Sequence, residues 1–131
     1  MKNIIKIASL VLATILMFTA CGVVPIQNIS TQKFQTAKKV TSNDVYKAIK
    51  VAGLSKGWIV KKIEEGKAQA TLNLRKHQAV VLINYDKNSY DMNYISSLNL
   101  ASDGKNIHKN YNGWIGYLKQ AIDAQLSSLS E

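Results

Sequence analysis

The chain has 131 residues, with 17 Lys or Arg against 8 Asp or Glu, a formal charge of +9 and one cysteine. A chain this short holds one small domain with a modest core, and a single cysteine excludes an internal disulfide, so stability must come from packing. The surplus of positive charge favours anionic partners such as lipid head groups or acidic envelope polymers. The densest basic groups are Lys38-Lys39, Lys61-Lys62 and Arg75-Lys76; none interleaves with an aromatic series, so nucleic acid is not expected as a partner.

Lys2 and Lys6 precede an uncharged, mostly apolar run from Ile7 to Phe18. A membrane-crossing helix needs about 20 such residues, so this run fits the apolar centre of a signal peptide instead. Phe18-Thr19-Ala20-Cys21 then sets small side chains before the cysteine and resembles the lipobox of bacterial lipoproteins, with Phe18 in place of the usual leucine. The resemblance implies that residues 1–20 are a lipoprotein signal peptide and that Cys21 is lipidated with palmitate-type acyl chains. Two or more chains anchor stably where one is marginal. Gly22 follows where an inner-membrane retention signal would have aspartate. The implied address is therefore the cell envelope, on the periplasmic face of the outer membrane in a Gram-negative cell.

Residues 21–40 lack a sustained period and contain Pro25 in a Gln/Asn/Ser/Thr background, which predicts a flexible tether of roughly 25 Å mean span. The domain is expected over residues 41–131. Thr41-Ser-Asn-Asp44 is a helix start; Val45, Ala48, Ile49 and Ala52 form one apolar face, and Gly53 is expected to end the helix in the left-handed conformation, with Leu54 closing over it. Strands are predicted at Trp58–Ile63, Ala68–Arg75, Ala79–Ile83 and Tyr90–Tyr94, with turns at Glu64–Gly66 and Asp86–Ser89. Their short connections predict an antiparallel meander, with Ala79–Ile83 central because it is apolar on both faces. Ile107, Tyr111, Trp114, Ile115, Leu118, Ile122, Leu126 and Leu129 share one arc of a long amphipathic helix. The expected fold is an α+β two-layer sandwich, a four-stranded antiparallel meander with two helices on one face, in the order α-β-β-β-β-α.

Candidate chemistry is sparse. Neither His77 nor His108 has a ligand partner at metal-binding spacing, and no nucleophile–base arrangement or phosphate-cradling glycine loop stands out, so no metal, cofactor or catalytic residue is expected. Leu72-Asn-Leu-Arg-Lys-His77, Tyr94-Ile-Ser-Ser-Leu-Asn-Leu100 and Ile107-His-Lys-Asn-Tyr-Asn-Gly-Trp-Ile115 resemble segments of a family of small uncharacterised Gram-negative envelope lipoproteins. The resemblance implies an envelope location and a shared role for Arg75, His77, Ser97, Asn99, His108, Tyr111, Asn112 and Trp114, but no activity. Tyr111 and Trp114 fit the core, leaving Arg75, His77, Ser97, Asn99, His108 and Asn112 as a candidate binding surface. The expected function is a non-enzymatic, lipid-anchored binding domain whose partner is an envelope protein or anionic envelope polymer. The alternative is a small envelope enzyme or ligand-binding protein using the Arg75/His77/His108 region.

Overall fold

A computed structural model describes residues 22–131. The expected signal peptide, residues 1–20, and the expected lipidation residue Cys21 lie outside the described residues. Helix α1 (Ser42–Ser55) starts where the sequence predicts, because Thr41 and Asp44 satisfy one another reciprocally. The Asp44 amide donates to Thr41 Oγ1 at 3.3 Å, and the Thr41 amide donates to Asp44 Oδ2 at 2.9 Å. These bonds to Thr41 hold the Asp44 carboxyl below the usual aspartate range. Its end differs from expectation. Gly53 is buried inside the helix, where an added Cβ would stand 2.5 Å from Val60 Cγ2, so this glycine serves helix–sheet approach. The left-handed residue is Gly57, with φ of 84°, and Leu54 is 73 % exposed rather than closing over the helix end.

Four strands form the expected antiparallel meander: β3 (Trp58–Glu64), β4 (Lys67–Leu74), β5 (His77–Tyr85) and β6 (Ser89–Leu98). Alternation selects their inner face. Trp58, Val60, Ala68, Ala70, Leu72, Ala79, Val81 and Ile83 point into the core, whereas Ile59, Lys61, Gln69 and Asn73 look outward. β5 is central, as its two-sided apolar run predicts.

The sheet has five strands, not four, and the stretch expected as a tether supplies the fifth. β2 (Ile29–Lys33) pairs antiparallel with β6, giving the order β2-β6-β5-β4-β3. Further upstream β1 (Val23–Pro25) pairs with β7 (Asn106–His108), joining Val23 to His108 and Pro25 to Asn106 in register. The physical reason for the miss is that edge strands bury little. Only Ile29 of β2 is fully buried, against Met92, so no alternation is visible in Ile-Ser-Thr-Gln-Lys.

Helix α2 (Lys109–Ser127) starts two residues later than the apolar arc predicts, because Ile107 belongs to β7. It buries Tyr111, Ile115, Leu118, Ile122 and Leu126, and a short 3-10 turn (Ser128–Ser130) follows. Each such aliphatic side chain contributes about 1.5–3 kcal/mol on full burial. One continuous buried cluster joins both helices to the inner face of the sheet. Among the described residues no helix is long and apolar enough to cross a membrane.

Antiparallel order fixes which chemistry shares an end of the molecule. The β4–β5 turn, the residues after β6, the C-terminus of α1, the start of α2 and Gly22 gather at one end. The β3–β4 and β5–β6 turns gather at the other.

Candidate functional site

The six predicted site residues all lie toward the first of these ends, and of them only His77 and Asn99 are joined to one another by a side-chain hydrogen bond. The β4–β5 turn carries Arg75 at φ 56°, and the segment leaving β6 carries Asn99 at φ 57° and Ala101 at φ 52°. Left-handed backbone costs a non-glycine residue on the order of 1 kcal/mol, so surrounding bonds must hold these conformations. His77 Nδ1 lies 2.7 Å from the Asn99 carbonyl oxygen, and Asn99 Nδ2 donates to the Lys76 carbonyl at 2.6 Å. A carbonyl accepts only, so Nδ1 carries the proton and Nε2 of the neutral ring is left as the acceptor. The imidazole also tilts against Trp114, with ring centroids 6.3 Å apart. Ser97 belongs to a hydroxyl chain in which Tyr94 Oη lies 2.8 Å from Ser97 Oγ and donates to Ser102 Oγ at 3.1 Å.

His108 and Asn112 do different work. His108 Nδ1 accepts the Asn110 amide at 3.2 Å and so caps α2, which requires the opposite tautomer from His77. Asn112 clamps the N-terminal segment. Its Nδ2 donates to the Pro25 carbonyl at 2.9 Å and its Oδ1 accepts the Gln27 amide at 3.0 Å. The two histidines are not bonded to one another. They attach to consecutive residues, His77 to the Asn99 carbonyl and the His108 amide to the Leu100 carbonyl at 2.8 Å.

A groove of about 390 Å³ opens beside this cluster, lined chiefly by Trp58, Leu72, Leu74, Trp114 and Tyr117, with Lys56 at its rim. The volume falls within the roughly 300–1,000 Å³ of small-ligand sites. Trp58 is buried at its floor, while Leu74 and Tyr117 stand 43 % and 59 % exposed on its walls. Lys56 Nζ sits 6.0 Å from the Tyr117 ring centroid. Little in the sequence points to it. Tyr117, an aromatic residue just off the apolar arc of α2, is its one visible trace. Trp114 is half-buried rather than core, so one edge of it serves the groove.

A second cleft, about 440 Å³, lies at the opposite end between β2 and α2, where Tyr90 Oη donates to Asp123 Oδ1 at 2.5 Å and Lys119 pairs with the same carboxylate. Burial and the Asp123 bond push the Tyr90 hydroxyl far above the usual tyrosine range. Tyr85 and Tyr111 bury hydroxyls with no protein partner, and burial raises both. Among the described residues no three His, Cys, Asp or Glu side chains stand close enough to hold a metal ion. No protein family, curated protein or solved structure matches the chain.

Proposed function

We propose that this chain is a lipid-anchored cell-envelope protein whose α+β domain binds another envelope component without transforming it. The observation that carries the reading is the Trp114–Tyr117 groove, an open, mostly apolar surface with exposed Leu74 and Tyr117 walls. An apolar segment of a protein partner would gain there by covering leucine and aromatic surface. Anchoring rests on the lipobox resemblance at Cys21. The Lys109 amide donates to the Gly22 carbonyl at 2.9 Å, so an acyl group on the preceding residue would leave the chain at the domain surface, with no long spacer.

The test is a photo-crosslinking side chain at position 117 in intact cells, with position 38 at the other end of the domain as control. The expected result is a discrete adduct from position 117 that Leu74→Glu abolishes. Identical adducts from both positions would remove the groove from consideration. The anchor is tested separately: Cys21→Ser is expected to end fatty-acid incorporation.

His77 supports the alternative of a ligand-binding or catalytic protein, because its Asn99 bond fixes the ring and leaves Nε2 as a hydrogen-bond acceptor. Arg75 is its sequence neighbour, but His108 is committed to the helix cap.

A further inference from the structure

Charge is unevenly divided along this molecule. At the end where the chain enters the fold, Lys56, Arg75, Lys76, Lys105 and Lys109 are all exposed. Among the described residues the one carboxylate there is Asp103, and it is occupied by its own loop. It accepts the Lys105 amide at 2.8 Å, the Asn106 amide at 2.7 Å and the Asn106 side chain at 3.4 Å. The bonds from the Asn106 and Lys105 amides hold it below the usual aspartate range and therefore charged.

All three ion pairs among the described residues, Lys62–Glu65, Lys67–Glu64 and Lys119–Asp123, lie toward the other end. Among the described residues Lys33, Lys38, Lys39 and Lys87 at that end form no ion pair either, but Asp44, Glu64, Glu65, Asp86, Asp91, Asp123 and Glu131 share it with them, whereas the five cations at the entry end have no side-chain carboxylate partner and only Asp103 beside them. Exposed apolar side chains accompany them: Leu98 at the end of β6 is 58 % exposed, Leu74 43 % and Val23 36 %.

Gly22 lies at this same end, fixed by the Lys109 amide and next to the His108 ring. The chain preceding it carries the apolar run Ile7 to Phe18, so whatever holds that segment or Cys21 to a bilayer brings this end of the domain to the bilayer first. We infer that the Lys56/Lys76/Lys105/Lys109 end is a membrane-docking face that seats on anionic phospholipid, the lysines meeting head-group phosphates and Leu98 and Val23 entering the interface. This inference rests on the anchored reading above and adds an orientation to it. Attraction of each cation falls off within a Debye length, about 8 Å at physiological salt. The face is therefore effective only because the entry point is fixed against it; on a long free spacer the same lysines would stay out of range.

The test uses the full chain mixed with phosphatidylcholine vesicles, with or without phosphatidylglycerol. Acetylation of individual lysines is read by mass spectrometry. Lys38, Lys39 and Lys87, at the other end, serve as references within the same molecule. The expected result is that phosphatidylglycerol lowers modification of Lys56, Lys76, Lys105 and Lys109 severalfold relative to the references, and that salt restores it. Lys76→Glu with Lys105→Glu should remove the protection of Lys56 and Lys109 without moving the melting midpoint, since each unit of charge is worth roughly fivefold in partition.

Equal protection at both ends would overturn the proposal. So would protection that survives the double reversal, or equal protection of the four lysines by soluble polyphosphate, which would make the face a general polyanion site. Flotation on phosphatidylcholine alone reports the anchor independently. A chain that floats there yet shows no lipid-dependent protection keeps the anchor and loses the docking face. A chain that floats only with phosphatidylglycerol, its entry-end lysines protected, keeps the face and loses the anchor.

Discussion

Tyr111 and Asn112 are neighbours in sequence, and each carries a polar group whose fate decides a different quantity. The Tyr111 hydroxyl is buried with no protein partner, beneath a Tyr94 ring stacked edge-on at 5.6 Å. An unsatisfied buried hydroxyl costs about 1–3 kcal/mol, so Tyr111→Phe is expected to stabilise the domain by about 1 kcal/mol in urea titrations. The same variant has a pH signature. Burial raises the Tyr111 hydroxyl above its unfolded value, so its neutral-state contribution is intact below about pH 10 and lost as pH rises toward the folded value. Alkaline unfolding should therefore begin at higher pH in Tyr111→Phe. An earlier onset would mean that the hydroxyl has a partner after all. Asn112 is the opposite case. Its amide satisfies the backbone at both Pro25 and Gln27, so Asn112→Ala should cost about 1–2 kcal/mol and accelerate hydrogen exchange at the Gln27 amide first. Loss of stability without faster exchange there would refute the clamp.

Glycines separate local from tertiary logic among the elements. Gly53 and Gly113 both sit inside helices, where glycine costs about 1 kcal/mol relative to alanine. A Cβ at Gly53 collides with Val60, a β-branched side chain held in a strand, whereas a Cβ at Gly113 meets nothing within 4 Å. Gly113→Ala is therefore expected to raise stability by up to about 1 kcal/mol. Gly53→Ala should lower it by about 1–3 kcal/mol, with partial rescue by Val60→Ala. Melting curves of the three variants check the pair. The contrast also marks what was legible in the sequence. Thr41 to Asp44 was readable because a capping box is satisfied within four residues. The meander was readable because Ala68, Ala70 and Leu72 alternate with polar partners. Gly53 was misread because its reason lies on β3, and β2 was missed because one buried isoleucine leaves no period. At the candidate site, His77 and Asn99 are hydrogen-bonded, and because the bond spans 22 residues its direction is invisible in sequence. His108 and Asn112 were grouped with them by segment resemblance, whereas their bonds secure the helix start and the N-terminal strand.

For the whole molecule, the N-terminal stretch is part of the fold rather than an appendage. Ile29 is 6 % exposed, and Phe34 continues the edge by donating its amide to the Asn88 carbonyl at 2.9 Å and packing 6.4 Å from the Tyr90 ring. A chain cut to residues 41–131 loses these contacts and bares the outer edge of β6. It should be less stable than a chain of residues 22–131 by at least the cost of an emptied isoleucine site, about 2–5 kcal/mol, and should self-associate through the exposed strand. Urea titration and sedimentation of the two lengths check this; equal stability would return residues 22–40 to the status of a spacer.

The Asn112 clamp has a consequence in time. Its bonds join residues 85 and 87 positions apart, and Val23 meets His108 across a similar stretch. The meander, by contrast, closes through turns of a few residues, so its loops are cheap to form early. The N-terminal segment is therefore the last piece to dock, a clasp that shuts on a body already assembled. A chain synthesised N-terminus first carries that clasp open until α2 has emerged, which keeps the entry end unfinished until synthesis is nearly complete. Asn112→Ala and Ile29→Ala should then speed unfolding while leaving the refolding rate nearly unchanged in stopped-flow measurements. A slowed refolding arm would move the clasp into the folding nucleus.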